Sequence, residues 1–247
     1  METNNQPAIH VRGLTKAYHG LPAVRDLSLD VGYGEAFGLL GANGAGKSTA
    51  IECILGTRKA DQGAVSILGM EPDAGRKELF QRVGVQFQES GFPDRIRVWE
   101  ICEEAMCLYR NPAPYQVLLH RFGLEEKSHS MVCDLSGGQK QRLFVVLALI
   151  PDPDVVFLDE LTTGLDVKAR REVWKHLLEL KKAGKTLLLT SHFMDEVEAL
   201  CDRIAILKQG TVLFHGTVQE AIEASPCATL EDAYLWFTDE EENNENL

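Results

Sequence analysis

The strongest chemical signal in the 247-residue chain is the run Gly41-Ala42-Asn43-Gly44-Ala45-Gly46-Lys47-Ser48-Thr49. It follows a short apolar run, Ala36 to Leu40, and opens a helical pattern at Lys47. Glycines at these spacings let backbone N–H groups turn inward around an anion. The start of a helix adds about half a positive charge at the same point. In that context Gly41-x-x-x-x-Gly46-Lys47-Ser48 reads as a phosphate-binding loop. Lys47 is placed to reach the β and γ phosphates of ATP, and the Ser48 hydroxyl to ligate Mg²⁺. Asn43, Gly44, Ala45 and Thr49 complete the cradle. The competing reading is a bare glycine turn, and the flanking strand and helix argue against it.

A second site for the same chemistry ends the apolar run Val155 to Leu158, where Asp159 and Glu160 follow directly. The end of a buried parallel strand lies at the rim where ligands of α/β proteins bind. Asp159 can hold Mg²⁺ through water, and Glu160 can act as general base toward an attacking water. Such a base is worth roughly 10²–10⁴ in rate. Strand-end acids can also be helix caps. The upstream phosphate loop favours the catalytic reading.

The third motif is Leu135-Ser136-Gly137-Gly138-Gln139. Ser136 as N-cap with Gln139 three residues on makes a capping box. A merely well-capped helix would not need two glycines, each of which weakens a first turn by about 1 kcal/mol relative to alanine. They make sense where backbone must approach an anion closely.

The elements that position these groups alternate. Ile9 to Val31 reads as short antiparallel strands. A helix is expected from Lys47 to about Leu55. Short apolar runs over Val83–Phe87, Val155–Leu158, Thr186–Thr190 and Ile204–Leu207 alternate with helical patterns over Val167–Lys182 and Phe193–Leu200. That alternation argues for a mainly parallel sheet covered by helices. Between them, Val98–Tyr109, Tyr115–Phe122 and Gly137–Ile150 are helical in period without a good strand. The expected organisation is one α/β domain over 1–238, with its core in 1–88 and 151–225 and an α-helical subdomain inserted over 89–150. Thr211–Phe214 would be a late strand. A closing helix over 229–238 has Leu230, Tyr234 and Phe237 on one face, and the acidic tail 239–247 reads as a solvated end.

The bulk numbers bound the function class. The formal net charge is -12, which disfavours nucleic acid and anionic membrane surfaces as partners. The six cysteines form no Cys-x-x-Cys pair, so neither a zinc site nor a disulfide scaffold is indicated, and reduced thiols fit best. The longest purely apolar run, Leu143 to Ile150, is far short of the ~20 residues of a membrane span. A membrane role would need an embedded partner.

Taken together, the motifs from Ile9 to Phe237 resemble the ATP-binding cassette (ABC) ATPases, the nucleotide-binding subunits of ABC transporters. The order is the family's: an N-terminal aromatic, phosphate loop, glutamine loop, Leu-Ser-Gly-Gly-Gln signature, acidic strand end, Gly164-Leu165-Asp166, and a late histidine. The resemblance implies a P-loop NTPase core with an N-terminal antiparallel β subdomain. It implies two ATP molecules sandwiched in a head-to-tail dimer with a second copy or a homologous subunit. Ser136, Gly138 and Gln139 would then contact ATP bound to the partner, and Asp166 would sit at the dimer seam. Tyr18 matches the adenine-stacking aromatic, although it can also be a sheet-surface tyrosine. Gln88 matches the glutamine that touches Mg²⁺ and the attacking water, with Gln86 the competitor. His192 matches the histidine at the γ-phosphate.

Leu161 and Val167 depart from the family, which commonly has proline at both positions. Phe87-Gln88-Glu89-Ser90, Thr190 to Glu196 and the short C-terminus resemble bacterial drug- and antibiotic-exporter ATPases. The implied function is an exporter's ATPase on the cytoplasmic side of the cell membrane, docked peripherally on an integral membrane permease near Phe92, Trp99 and Tyr109. These three aromatics can equally be core. An importer subunit or a soluble non-transport ABC ATPase is the alternative.

Overall fold

The protein is described from a computed structural model covering residues 6–87, 95–162 and 164–239. Two sheets organise it. The first is antiparallel, in the order β2-β1-β4, built from β1 (Ile9–Tyr18), β2 (Leu21–Val31) and β4 (Gln62–Ile67). β1 and β2 form one long hairpin turned at His19-Gly20, both at positive φ. These strands are longer than their turn residues suggest, because bulges between Val11 and Ala17 absorb the irregular stretch.

The second sheet has the order β5-β6-β7-β3-β8-β9. Its strands are β3 (Ala36–Leu40), β5 (Val83–Gln86), β6 (Val155–Asp159), β7 (Thr186–Ser191), β8 (Arg203–Lys208) and β9 (Thr211–Thr217). The first five in spatial order are parallel, and β9 closes the edge antiparallel to β8. All residues of β3, β6 and β7 are buried, as expected of parallel strands covered on both faces.

Helices α1 (Lys47–Ile54), α2 (Arg76–Leu79), α3 (Val98–Met106), α4 (Tyr115–Arg121) and α5 (Gly137–Leu149) precede β6. Helices α6 (Val167–Lys182), α7 (Met194–Leu200), α8 (Val218–Glu223) and α9 (Leu230–Thr238) follow it. One core, including Phe37, Phe157 and Ile51, lies between the two sheets around α1. A second packs α3–α6 on the opposite face through Val146, Leu158 and Leu177. Trp99 and Tyr109 pack against this second core. Leu230, Tyr234 and Phe237 of α9 share a third, smaller cluster with β8 and α7, so the expected single face of this helix is present.

Three elements escaped the sequence pattern. β4 is exposed over Gln62-Gly63-Ala64 and has one fully buried residue, Ile67, so it lacks an apolar run. α2 and α8 have only four and six residues, too short to show a helical period. None of the described helices is long and apolar enough to cross a membrane.

Candidate functional site

The register of the parallel sheet builds the site. β3, β6 and β7 are neighbours, and their C-terminal ends deliver Gly41, Asp159-Glu160 and Thr190-Ser191-His192 to one rim. β3 turns at once into the phosphate loop. The fit there is tight: a side chain on Gly41 would come within 2.6 Å of the Leu207 carbonyl oxygen. Gly46 has φ 104, and a Cβ there would collide with the Ala23 carbonyl oxygen, so glycine is required on both counts. α1 then starts at Lys47 with no side-chain cap on its first N–H groups. Those donors are left for an anion. Together they line a cavity of about 300 Å³ formed by Asn43, Gly44, Gly46, Lys47, Ser48 and Thr49, with Ala23 and Glu160 across it.

Lys47 is 4% exposed, and its ammonium donates to the carbonyl oxygens of Gly41 at 2.8 Å and Ala42 at 3.3 Å. It also lies 3.4 Å from Glu160 Oε1. Glu160 is 7% exposed and adopts φ 50, a left-handed conformation uncommon outside glycine. Such strain persists only when the surroundings over-determine it. Here the Glu160 amide donates to Thr190 Oγ1 at 2.9 Å. The same hydroxyl donates to Asp159 Oδ1 at 2.5 Å. Thr190 therefore fixes both acids, and β6 pairs Asp159 directly with it. His192 Nδ1 lies 3.8 Å from Glu160 Oε1, with its side chain 35% exposed.

Lys47, Glu160 and His192 thus converge, with Ser48, Thr49 and Asp159 beside them. Three groups of sequence-predicted residues lie elsewhere. Tyr18 ends β1, does not line the cavity, and carries the Lys16 ammonium at 5.7 Å and the Arg58 guanidinium at 5.4 Å from its ring centre. Ser136 and Gln139 make the full capping box of α5: Ser136 Oγ accepts from the Gln139 amide at 3.3 Å, and Gln139 Oε1 accepts from the Ser136 amide at 2.9 Å. Nothing stands within 4 Å of a Cβ built on Gly137, and one on Gly138 would lie 3.2 Å from Leu165 Cδ2. The signature therefore touches the Gly164-Leu165-Asp166 turn. Asp166 is exposed and caps α6 through Oδ1, which accepts from the Ala169 amide at 2.8 Å.

Gln88 and Phe92 lie outside the described residues. Gln86 is 2% exposed at the end of β5, its Nε2 donating to the Phe87 carbonyl at 2.8 Å. Sequence reasoning missed Thr190 and Ala23 as parts of the site. A buried threonine closing an otherwise leucine-rich strand is the signal that could have found Thr190.

Known proteins share this chain's sequence family and fold. The profile of the ABC transporter family matches residues 24–163. The chain belongs to the ABC transporter family. Among curated ABC proteins, it is 38% identical over 225 residues to the Nod factor export ATP-binding protein I of Rhizobium johnstonii, covering 87% of this chain and 71% of that one. The equivalent protein of Burkholderia orbicola is 39% identical over 221 residues, covering 87% and 73%. A solved ATP-binding subunit of an ABC transporter superposes with a TM-score of 0.86 at 28% identity, covering 94% of this chain and 100% of that one. A dimeric bacterial ABC transporter cassette gives 0.78 at 26% identity, covering 85% and 98%. A dimeric cassette in a post-hydrolysis state bound to ADP and phosphate gives 0.77 at 25%, covering 85% and 98%. The chain is thus an ABC ATPase, with a mixed α/β cassette fold of one antiparallel and one mostly parallel sheet.

Proposed function

We propose that this chain is the ATP-binding and ATP-hydrolysing subunit of a membrane exporter, working as a dimer beside an integral membrane permease. The observation that carries the reading is the buried pair Lys47–Glu160, 3.4 Å apart at the phosphate loop, with Thr190 holding the backbone of Glu160. Phosphate oxygens of ATP take over the Lys47 ammonium from the Gly41 and Ala42 carbonyls, and the loop amides cradle them. Glu160 accepts a proton from the attacking water. His192 contacts the γ-phosphate, and Tyr18 stacks on the adenine.

Ser48 and Asp159 are hard oxygen donors suited to Mg²⁺, with Gln88 as a further donor. Among the described residues no cluster of three or more His, Cys, Asp or Glu side chains forms a metal cage. That fits a cation held by a hydroxyl, a carboxylate, waters and substrate phosphates. Bound there, Mg²⁺ neutralises charge on the phosphate oxygens.

Ser136, Gly138 and Gln139 serve the ATP of the second subunit, and Asp166 lies at the seam. Two observations support this division: the signature residues do not line the chain's own phosphate cavity, and Ser136 and Gly137 are exposed. Export is supported by the names of the relatives, which are Nod factor export proteins. The cargo is set by the permease. Docking on that permease places the subunit peripherally on the cytoplasmic side of the cell membrane. Helices α3 to α5 act as the subdomain that meets it.

Glu160→Gln tests the catalytic assignment. It is expected to keep ATP affinity and lose turnover by about 10²-fold or more. Hydrolysis at the parent rate would show that Glu160 is not the base.

A further inference from the structure

Helix α6 holds the segment around His192 from two sides. On one side the His192 and Phe193 rings lie against each other, centroids 4.1 Å apart. The Arg170 guanidinium stands 4.3 Å over the Phe193 ring, and its Nη1 lies 3.2 Å from Asp195 Oδ2. On the other side Ser191, the residue before the histidine, donates through Oγ to Glu196 Oε2 at 2.6 Å. Trp174 Nε1 donates to Glu196 Oε1 at 3.2 Å. The Phe193 amide closes the turn by donating to Ser191 Oγ at 3.0 Å. Arg170 and Trp174 are one turn apart, so the same face of α6 makes both contacts.

Glu196 is the telling residue. It is 1% exposed, and a carboxylate so buried is costly unless its oxygens are bonded. Burial pushes its carboxyl above the usual range, against the opposing pull of Ser191 and Trp174. An apolar side chain would fill the space without that cost. What the carboxylate adds is a pair of directional bonds, one to α6 and one to the residue before His192.

We propose that Arg170, Trp174 and Glu196 are positioning residues that fix His192 against Glu160, so that α6, capped by Asp166, governs the placing of the histidine. The proposal rests on the assignment of His192 to the reacting phosphate. None of the three touches substrate.

The test uses the full chain with saturating Mg-ATP. Trp174→Phe keeps the ring and removes the donor to Glu196. It is expected to lower kcat about 3- to 10-fold, the weight of one hydrogen bond. KM for ATP should stay within about twofold, while the unfolding midpoint falls by about 2–10 °C because a buried carboxylate oxygen loses its donor. Arg170→Lys, which keeps charge and loses the planar stack, should show the same split. His192→Ala should lower kcat by itself, and adding Trp174→Phe to it should change nothing further. A readout independent of turnover is histidine-selective NMR, in which Trp174→Phe shifts the His192 ring signals and leaves those of His10 unmoved.

Parent-like kcat in both Trp174→Phe and Arg170→Lys would overturn the clamp. So would an undiminished effect of Trp174→Phe in the His192→Ala background, or an unmoved His192 spectrum. His192→Ala at the parent rate would instead overturn the assignment of the histidine, and the clamp with it.

Discussion

At the scale of single residues, the site depends on one hydroxyl that bonds two acids. Thr190 Oγ1 accepts from the Glu160 amide and donates to Asp159, and the Glu160 carboxylate faces Lys47. Lys47→Ala is therefore expected to abolish nucleotide binding in a fluorescent-nucleotide titration, and unchanged affinity would refute the phosphate-loop assignment. The thiols give a prediction independent of nucleotide. Cys102 is fully buried, and burial pushes its thiol up to about 12, whereas Cys107 and Cys133 are exposed. At pH 8 a maleimide should modify Cys107 and Cys133 in the folded protein and reach Cys102 only after unfolding. Labelling of Cys102 at the rate of Cys133 would contradict the packing of α3. Lys47, Asp159, Glu160 and Ser136 were legible in the sequence because each sits in a motif with fixed spacing. Thr190, Arg170, Trp174 and Glu196 were not. No spacing rule relates position 190 to 159 or 196 to 174, and only the pairing of β6 with β7 and the packing of α6 on α7 bring them together.

At the scale of elements, the long patterns carried the fold. α6 spans Val167–Lys182 as its helical period requires, and β3, β6 and β7 are as buried as their apolar runs imply. What stayed hidden was short or exposed: β4 at a sheet edge, and α2 and α8. The residue at 167, where the family resemblance leads one to expect proline, belongs to this scale. Val167 is the first residue of α6 and is 67% exposed. Asp166 before it has φ -69 and ψ 165, the extended conformation that a following proline demands. A proline at the first helical position sacrifices no intrahelical hydrogen bond. Val167→Pro is thus expected to stabilise the chain by about 0.4–1 kcal/mol, through a less free unfolded chain. That should raise the unfolding midpoint by about 1–4 °C for a protein of this size. A lower midpoint would mean that the α6 terminus is not built as described.

At the scale of the whole molecule, the two ends of the proposed ATP site lie apart in one chain. The phosphate loop opens α1, whereas the signature opens α5 beside the Leu165 turn and lines no part of the phosphate cavity. On the proposed reading, the nucleotide contacts of one subunit are complete only when a second contributes its signature, so the central claim concerns assembly as much as chemistry. It also requires two chains, each of net charge -12, to close on one another, which like charge opposes and ATP must overcome. The most direct measurement is sedimentation velocity of Glu160→Gln with and without Mg-ATP. The account predicts a monomer without nucleotide and a stable dimer with it, and loss of that dimer when Ser136→Arg is added. A Glu160→Gln protein that binds ATP and remains monomeric would contradict it.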